Sequence, residues 1–480
     1  MNTSKQIANN VIWKYLELFS VMGIQLLCTF IMARFLTPED YGILGMALVF
    51  SALAEVFINS GFGQALIREK EVTRLDYSTI LYFNIVISVA LYILLYFLSD
   101  LIAKFYEQPI LVDVCKVTFL VLPLNALSIV QMTKLQREIR FKKLFFIFFT
   151  SSFMSAAIAI YIAYLYHNVW ALVIQVVLTV FIRCILLWIT ADFFPVFSFS
   201  ITAFNKYFKF SKNILVSGLI GTLFSNIYSL IIGKAYSATQ LGYYSQASKI
   251  CNLASHTTTQ VVQTVTYPIL SNLNNKGDDI KEGYKKIISV TLIIVGFVMA
   301  MLMSCAQDFF ELFMGNSVWR VAGTYLFLIG INGILYPLHA INQNILMVKG
   351  NSKTILNLEF ARRSIMIVIL IITINFNIEI FVAGLSLYSI ILLFFNLYYC
   401  GKPINYTVKQ QLQDTMPIFI RIAIMIFVAK LFVKLIPSQF LVVRIIFSIF
   451  ICALSGLIIF WKQKDFKNLC VILKSYIRRK

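Results

Sequence analysis

Apolar runs separated by short polar breaks set the pattern of this chain. Fourteen runs can be traced, near 9–33, 41–62, 78–99, 113–133, 144–166, 169–191, 208–232, 241–270, 287–312, 321–347, 355–375, 379–399, 414–436 and 441–461. A helix needs about 20 mostly apolar residues to cross a bilayer core, so each run predicts one membrane helix. The run at 241–270 is unusually polar, and a twelve-helix version would lack the final pair. No break is long enough for a folded domain outside the membrane, which argues against the polymerases, ligases and glycosyltransferases that carry one.

Composition agrees. The chain is 60% hydrophobic and 13% charged, with a mean hydropathy of +0.83. A soluble chain of 480 residues would need a more charged surface. The polar start MNTSKQIANN leads into the first run without a small-residue cleavage site, so that run reads as a retained helix.

The formal charge of +20 sits mostly in the breaks. With both termini cytoplasmic, the external breaks hold only Arg34, Lys104, Lys234, Arg320, Lys430 and Lys434. Clusters such as Lys134, Arg137, Arg140, Lys142 and Lys143, and the basic tail, fall inside. That bias follows the positive-inside rule. Nucleic-acid binding would instead need a soluble basic face with aromatics set among the charges.

Chemistry is sparse. The eight cysteines form no CxxC and read as small buried hydrophobes. His167, His256 and His339 are too far apart to suggest a metal site. No nucleophile–base arrangement, phosphate loop or catalytic carboxylate pair is visible, so no catalytic residue and no cofactor is expected.

The chain echoes itself. ARFLTPEDYG at 33–42 aligns with GKAYSATQLG at 233–242, placing Arg34 over Lys234, Thr37 over Ser237 and Gly42 over Gly242. VQMTKLQREIRFKKLFF at 130–146 aligns with INQNILMVKGNSKTILN at 341–357, placing Gln131 over Gln343 and Arg137 over Lys349. Runs 1–6 and 7–12 therefore read as two parallel repeats related by an axis along the membrane normal. Three segments follow: an N-terminal lobe over 1–200, a C-terminal lobe over 201–400, and a helix pair with a basic tail over 401–480.

Polar residues inside the runs fall into stripes. Run 1 carries Asn10, Lys14, Glu17 and Gln25 on one helical face, and run 2 carries Ser51, Glu55 and Asn59 one turn apart. Run 8 is the richest, with Ser245, Lys249, Asn252, His256, Gln260 and Gln263. Run 7 contributes small residues, Gly218, Gly221 and Ser225, which admit close neighbours. Because charge at mid-bilayer is costly, such stripes point to a wet cleft. A local Lys14–Glu17 pair, with the other groups satisfied across helices, is the competing account. Glu359 and Arg363 are spaced for a helix-surface ion pair. Arg183, Arg421 and Arg444 are long enough to snorkel to an interface, and Arg183 alternatively faces the cleft.

These residues resemble those of bacterial polysaccharide export proteins, in particular Wzx/PST-type lipid-linked oligosaccharide flippases of the colanic acid and teichuronic acid exporter branch. The resemblance rests on ARFLTPEDYGILGMALVF (33–50), NSGFGQALIRE (59–69), LQREIRFKKL (135–144), NVWALVIQ (168–175), IIGKAYSATQLGYYSQASKI (231–250), YPILSNL (267–273) and MGNSVWRVAG (314–323). Beyond 350 only hydropathy supports it.

The resemblance implies an all-α integral membrane bundle of about 14 helices, V-shaped, with two six-helix lobes and a C-terminal pair. It implies a bacterial inner-membrane flippase that moves an undecaprenyl-pyrophosphate-linked oligosaccharide to the periplasmic leaflet by alternating access. Cargo, bilayer and a polysaccharide polymerase or assembly protein are the partners expected. Lys14, Gln25, Asn59, Lys249, Asn252 and Gln260 are the candidate cleft residues, with Lys14 and Lys249 neutralising the diphosphate. Glu17, Glu55 and His256 are candidates for proton or sodium coupling. The family pattern commonly has an aspartate before IIGK, where Tyr228 stands here, and that departure leaves Glu17 and Glu55 as the acids nearest the cleft. The alternatives are a multidrug cation exporter on the same architecture, whose cleft should favour acids and aromatics, and a non-transporting scaffold.

Overall fold

The computed structural model describes residues 3–59, 61–276 and 280–461. Among them there are helices and connections but no strand. A backbone in lipid must satisfy its own polar groups, and a helix does so within one segment.

The first six runs become α1 (Thr3–Met32), α2 (Pro38–Ile58) with its continuation α3 (Phe62–Arg68), α4 (Arg74–Tyr106), the broken pair α5 (Leu111–Thr118) and α6 (Val121–Arg137), α7 (Phe141–Tyr166) and α8 (Trp170–Thr190). The other eight become α9 (Ile201–Ala235), α10 (Ala238–Lys276), α11 (Ile280–Met314), α12 (Arg320–Val348), α13 (Ser352–Thr373), α14 (Ile378–Gly401), α15 (Val408–Val433) and α16 (Leu441–Phe460). Every apolar run thus lands on a helix or a helix pair.

Twelve spans among the described residues are long and apolar enough to cross a membrane. The final pair, α15 and α16, is among them. Those that fall short are α10, through its polar stripe, and α13, through Glu359, Arg362 and Arg363. Large apolar side chains line the outside, as in α4, where Phe97 is 72% exposed beside exposed Val86, Ile93, Leu94 and Leu101. In water such a surface would aggregate; in a bilayer it is the solvent contact.

Helix starts are encoded locally. Thr37 and Asp40 form a capping box at α2, and Thr73 and Asp76 form another at α4. At the repeat position of Thr37, Ser237 accepts the backbone N–H of Gln240 at 3.1 Å.

Two compact units divide the chain, Met1–Gly242 and Tyr243–Lys480. In the first, α1 packs on α7, α7 on α8, α8 on α6 and α6 on α4, while α9 packs on α2, α3 and α4. In the second, α11 packs on α12, α15 and α16, and α12 on α14. The seven described cysteines are all free and buried, as expected; Cys470 and the basic tail after 461 lie outside the described residues.

Two arginines depart from the snorkelling expectation. Arg444 is 14% exposed and pairs with Asp308 at 2.9 Å, and Arg320 joins the same carboxylate from α12. Arg183 turns inward as well. Each reaches an acceptor inside its own unit. Glu359 does pair with Arg363, at 3.3 Å, but Arg362 is nearer at 2.6 Å.

Candidate functional site

In the first unit, the N-terminal turns of α2 and α10 meet at the two glycines aligned by the repeat. A Cβ on Gly42 would stand 1.7 Å from the Ala238 carbonyl oxygen, and one on Gly242 would stand 1.8 Å from the Pro38 carbonyl oxygen. The contact is reciprocal: each helix presents its glycine to the first-turn carbonyl of the other. No side chain fits between backbones this close, so glycine is required at both positions. Next to it, Lys234 pairs with Glu107 at 2.8 Å, tying the end of α9 to the C-cap of α4. The ammonium's hydrogen bond and charge hold the Glu107 carboxyl below its ordinary pKa.

The small face of α9 also admits a neighbour, because a Cβ on Gly218 would lie 2.9 Å from Val56 of α2. Gly221 has open space around it. Tyr228, the departure noted before IIGK, is buried.

On α1, Lys14 and Glu17 pair at 2.6 Å, the local arrangement weighed from their spacing. Glu17 is buried and its second oxygen has no hydrogen-bond partner, while Lys14 and Gln25 are exposed. Glu55 stands apart from that pair. The Asn125 amide of α6 donates to it at 2.8 Å, and the Arg183 guanidinium of α8 donates to Asn125 at 2.8 Å. Arg183 also lies 5.2 Å from the Phe148 ring. An acid and a base inside the bundle are thus joined through one amide, which sequence reasoning passed over. A lone Asn in the middle of an apolar run was the available signal. Asn59 is exposed at the C-cap of α2.

In the second unit, the α10 stripe divides. Asn252 and Gln260 are exposed, and Lys249 is half-buried. His256 instead lies flat on Tyr336 of α12 with ring centroids 3.6 Å apart, and Gln263 donates to the Ala340 carbonyl at 2.8 Å. Part of the stripe therefore packs α10 onto α12, and part stays open. Behind it runs a second network. Gln343 and Arg362 donate to Glu359 at 3.2 and 2.6 Å, Arg362 donates to Asn396 at 3.2 Å, and Asn396 meets His339 at 2.7 Å. Lys14 and Lys249 belong to different units. No group of three or more His, Cys, Asp or Glu able to hold a metal occurs among the described residues.

Similarity to known proteins falls into two kinds. A family described as "Polysaccharide biosynthesis protein" matches residues 31–322. Among curated relatives, the chain is 26% identical over 354 residues to the teichuronic acid biosynthesis protein TuaB of Bacillus subtilis, covering 73% of this chain and 72% of that one. It is 21% identical over 344 residues to the lipopolysaccharide biosynthesis protein WzxC of Escherichia coli, covering 70% and 68%. In fold it matches the lipid II flippase MurJ in an inward closed conformation, with a TM-score of 0.71, 18% identity, and 94% and 99% of the two chains covered. An inward-facing multidrug resistance MATE family transporter of the MOP superfamily matches with a TM-score of 0.57 at 12% identity over 82% and 98%.

Proposed function

Since the chain belongs to the polysaccharide biosynthesis protein family, we propose that it is a flippase for an undecaprenyl-pyrophosphate-linked oligosaccharide in the bacterial inner membrane. It is a multi-pass membrane transporter and not an enzyme. The observation that carries the reading is the family match over 31–322, which includes the glycine crossing and most of the candidate polar residues.

In this reading the two repeats, 1–200 and 201–400, alternate access to a wet path, and the helix pair of 401–480 flanks them. Lys14 and Lys249 neutralise the diphosphate, while Gln25, Asn59, Asn252 and Gln260 offer amides to the sugars. The reciprocal contact at Gly42 and Gly242 serves as the outer closure. Its closest contacts are backbone to backbone, at the two glycines. Glu17, Glu55 and His256 change protonation or bind sodium as the repeats move, biasing one state over the other.

Export of the lipid-linked glycan in a strain lacking the endogenous gene tests the assignment. A Lys14→Ala, Lys249→Ala double variant should express normally and lose most export. Full-rate export by that variant would remove the two lysines from cargo binding. Raised resistance to cationic dyes, with glycan export unaffected by deleting the chain, would favour the multidrug alternative.

A further inference from the structure

The second unit holds an apolar groove that no step of the proposed transport uses. It has a volume of about 550 Å³ and runs along α15 from Leu412 and Met416 through Phe419 and Phe427, walled by α12 and α14. Every lining residue is apolar except the last, Lys430. Lys430 also lines a neighbouring pocket of about 240 Å³ with a mixed lining, whose polar side is formed by Gln307, Asp308, Thr324, Lys434 and Arg444. One lysine thus joins the apolar trough to the charged side of a second pocket.

The charges at this junction do not cancel. Asp308 and Glu311 are engaged by Arg320 and Arg444. Lys430 and Lys434 stand one turn apart, and neither forms an ion pair among the described residues. The Lys430 ammonium rests 3.3 Å from the centre of the Phe327 ring, half-buried, and so is not simply extended into solvent. Half-buried Lys430 at the end of the trough, with exposed Lys434 one turn on, offers two like charges that favour an anion. Near a membrane surface, the anion attached to something that fills an apolar trough is a lipid phosphate.

We infer that the groove binds one bilayer phospholipid with an anionic headgroup. Its acyl chains lie along Phe419, Ala423 and Phe427, and its phosphate accepts from Lys430 and Lys434. The site belongs to one unit and is independent of which cargo the protein carries.

Native mass spectrometry of the full-length protein, incubated in detergent with equimolar phosphatidylglycerol and phosphatidylcholine, tests this. One phosphatidylglycerol should be retained in preference. A Lys430→Gln, Lys434→Gln double variant should weaken that preference about tenfold, on the scale of one to two basic residues at a membrane surface. Lys430→Arg should preserve it, and Ala423→Trp, which fills the groove, should reduce retention of both lipids. A Lys286→Gln, Lys353→Gln control at exposed positions elsewhere in the unit should change nothing. Equal retention of the two lipids, an unaltered preference in the Lys430/Lys434 variant, or displacement of phosphatidylglycerol by equimolar undecaprenyl phosphate would overturn the inference.

Discussion

Asn125 joins two charges inside the first unit, Glu55 and Arg183. Its amide donates to Glu55 and accepts from Arg183, using both ends of one side chain. Leucine at that position would leave an acid and a base facing each other across an apolar gap. Asn125→Leu should therefore lower the melting temperature in detergent more than Gly23→Ala, since Gly23 has open space around it. A double-mutant cycle with Glu55→Gln and Arg183→Gln should return a coupling of about 1–2 kcal/mol, the upper range for polar contacts between membrane helices. Glu55 was identifiable from sequence because a carboxylate in an apolar run is conspicuous. Its partners were not, because they lie 70 and more positions away and hydropathy carries no information about pairing.

Glu107 makes a prediction in pH. Its pKa is lowered by Lys234, so the pair stabilises the fold above the ordinary carboxylate pKa of about 4.3 and loses that contribution as pH falls through the lower folded value. Wild type and Glu107→Gln should differ in melting temperature by a small, constant amount from pH 6 to 8. The difference should shrink as the medium is made more acidic than about pH 4. A difference that grew on acidification would contradict the assignment.

At the scale of elements, the crossing of α2 and α10 makes the sharpest demand on sequence. The carbonyl oxygens of Ala238 and Pro38 already occupy the space that a side chain would need. Gly42→Val or Gly242→Val should force the helix starts apart, costing about 1–3 kcal/mol as overpacking does elsewhere. If the crossing is the outer closure, each variant should also lose export and raise maleimide labelling of a cysteine placed at Thr37. Gly221→Ala, with nothing within 4 Å, should do neither. The repeat alignment had placed the two glycines opposite each other in sequence. That they touch, each against the other's first turn, was not contained in the alignment, since equivalent positions in a repeat need not meet.

For the whole molecule, the apolar runs and charge bias predict which breaks face the cytoplasm. Cysteines introduced at Lys70 and Lys349 should resist a membrane-impermeant thiol reagent in intact cells, whereas one at Glu107 should react. Labelling of all three would dismantle the orientation on which the direction of transport is proposed.

All-helical class, the position of each apolar segment and membership in the polysaccharide biosynthesis protein family were determined by the chain itself. Hydropathy is a local property that adds up along consecutive residues, and caps such as Thr37 and Thr73 need only neighbours three positions on. Tertiary structure alone decided that Arg183 finds the Asn125 amide and Arg444 the Asp308 carboxylate, that His256 stacks on Tyr336, and that Lys430 ends an apolar groove. A long side chain in a membrane takes the nearest acceptor in space, and which acceptor that is depends on helices brought together from distant parts of the chain.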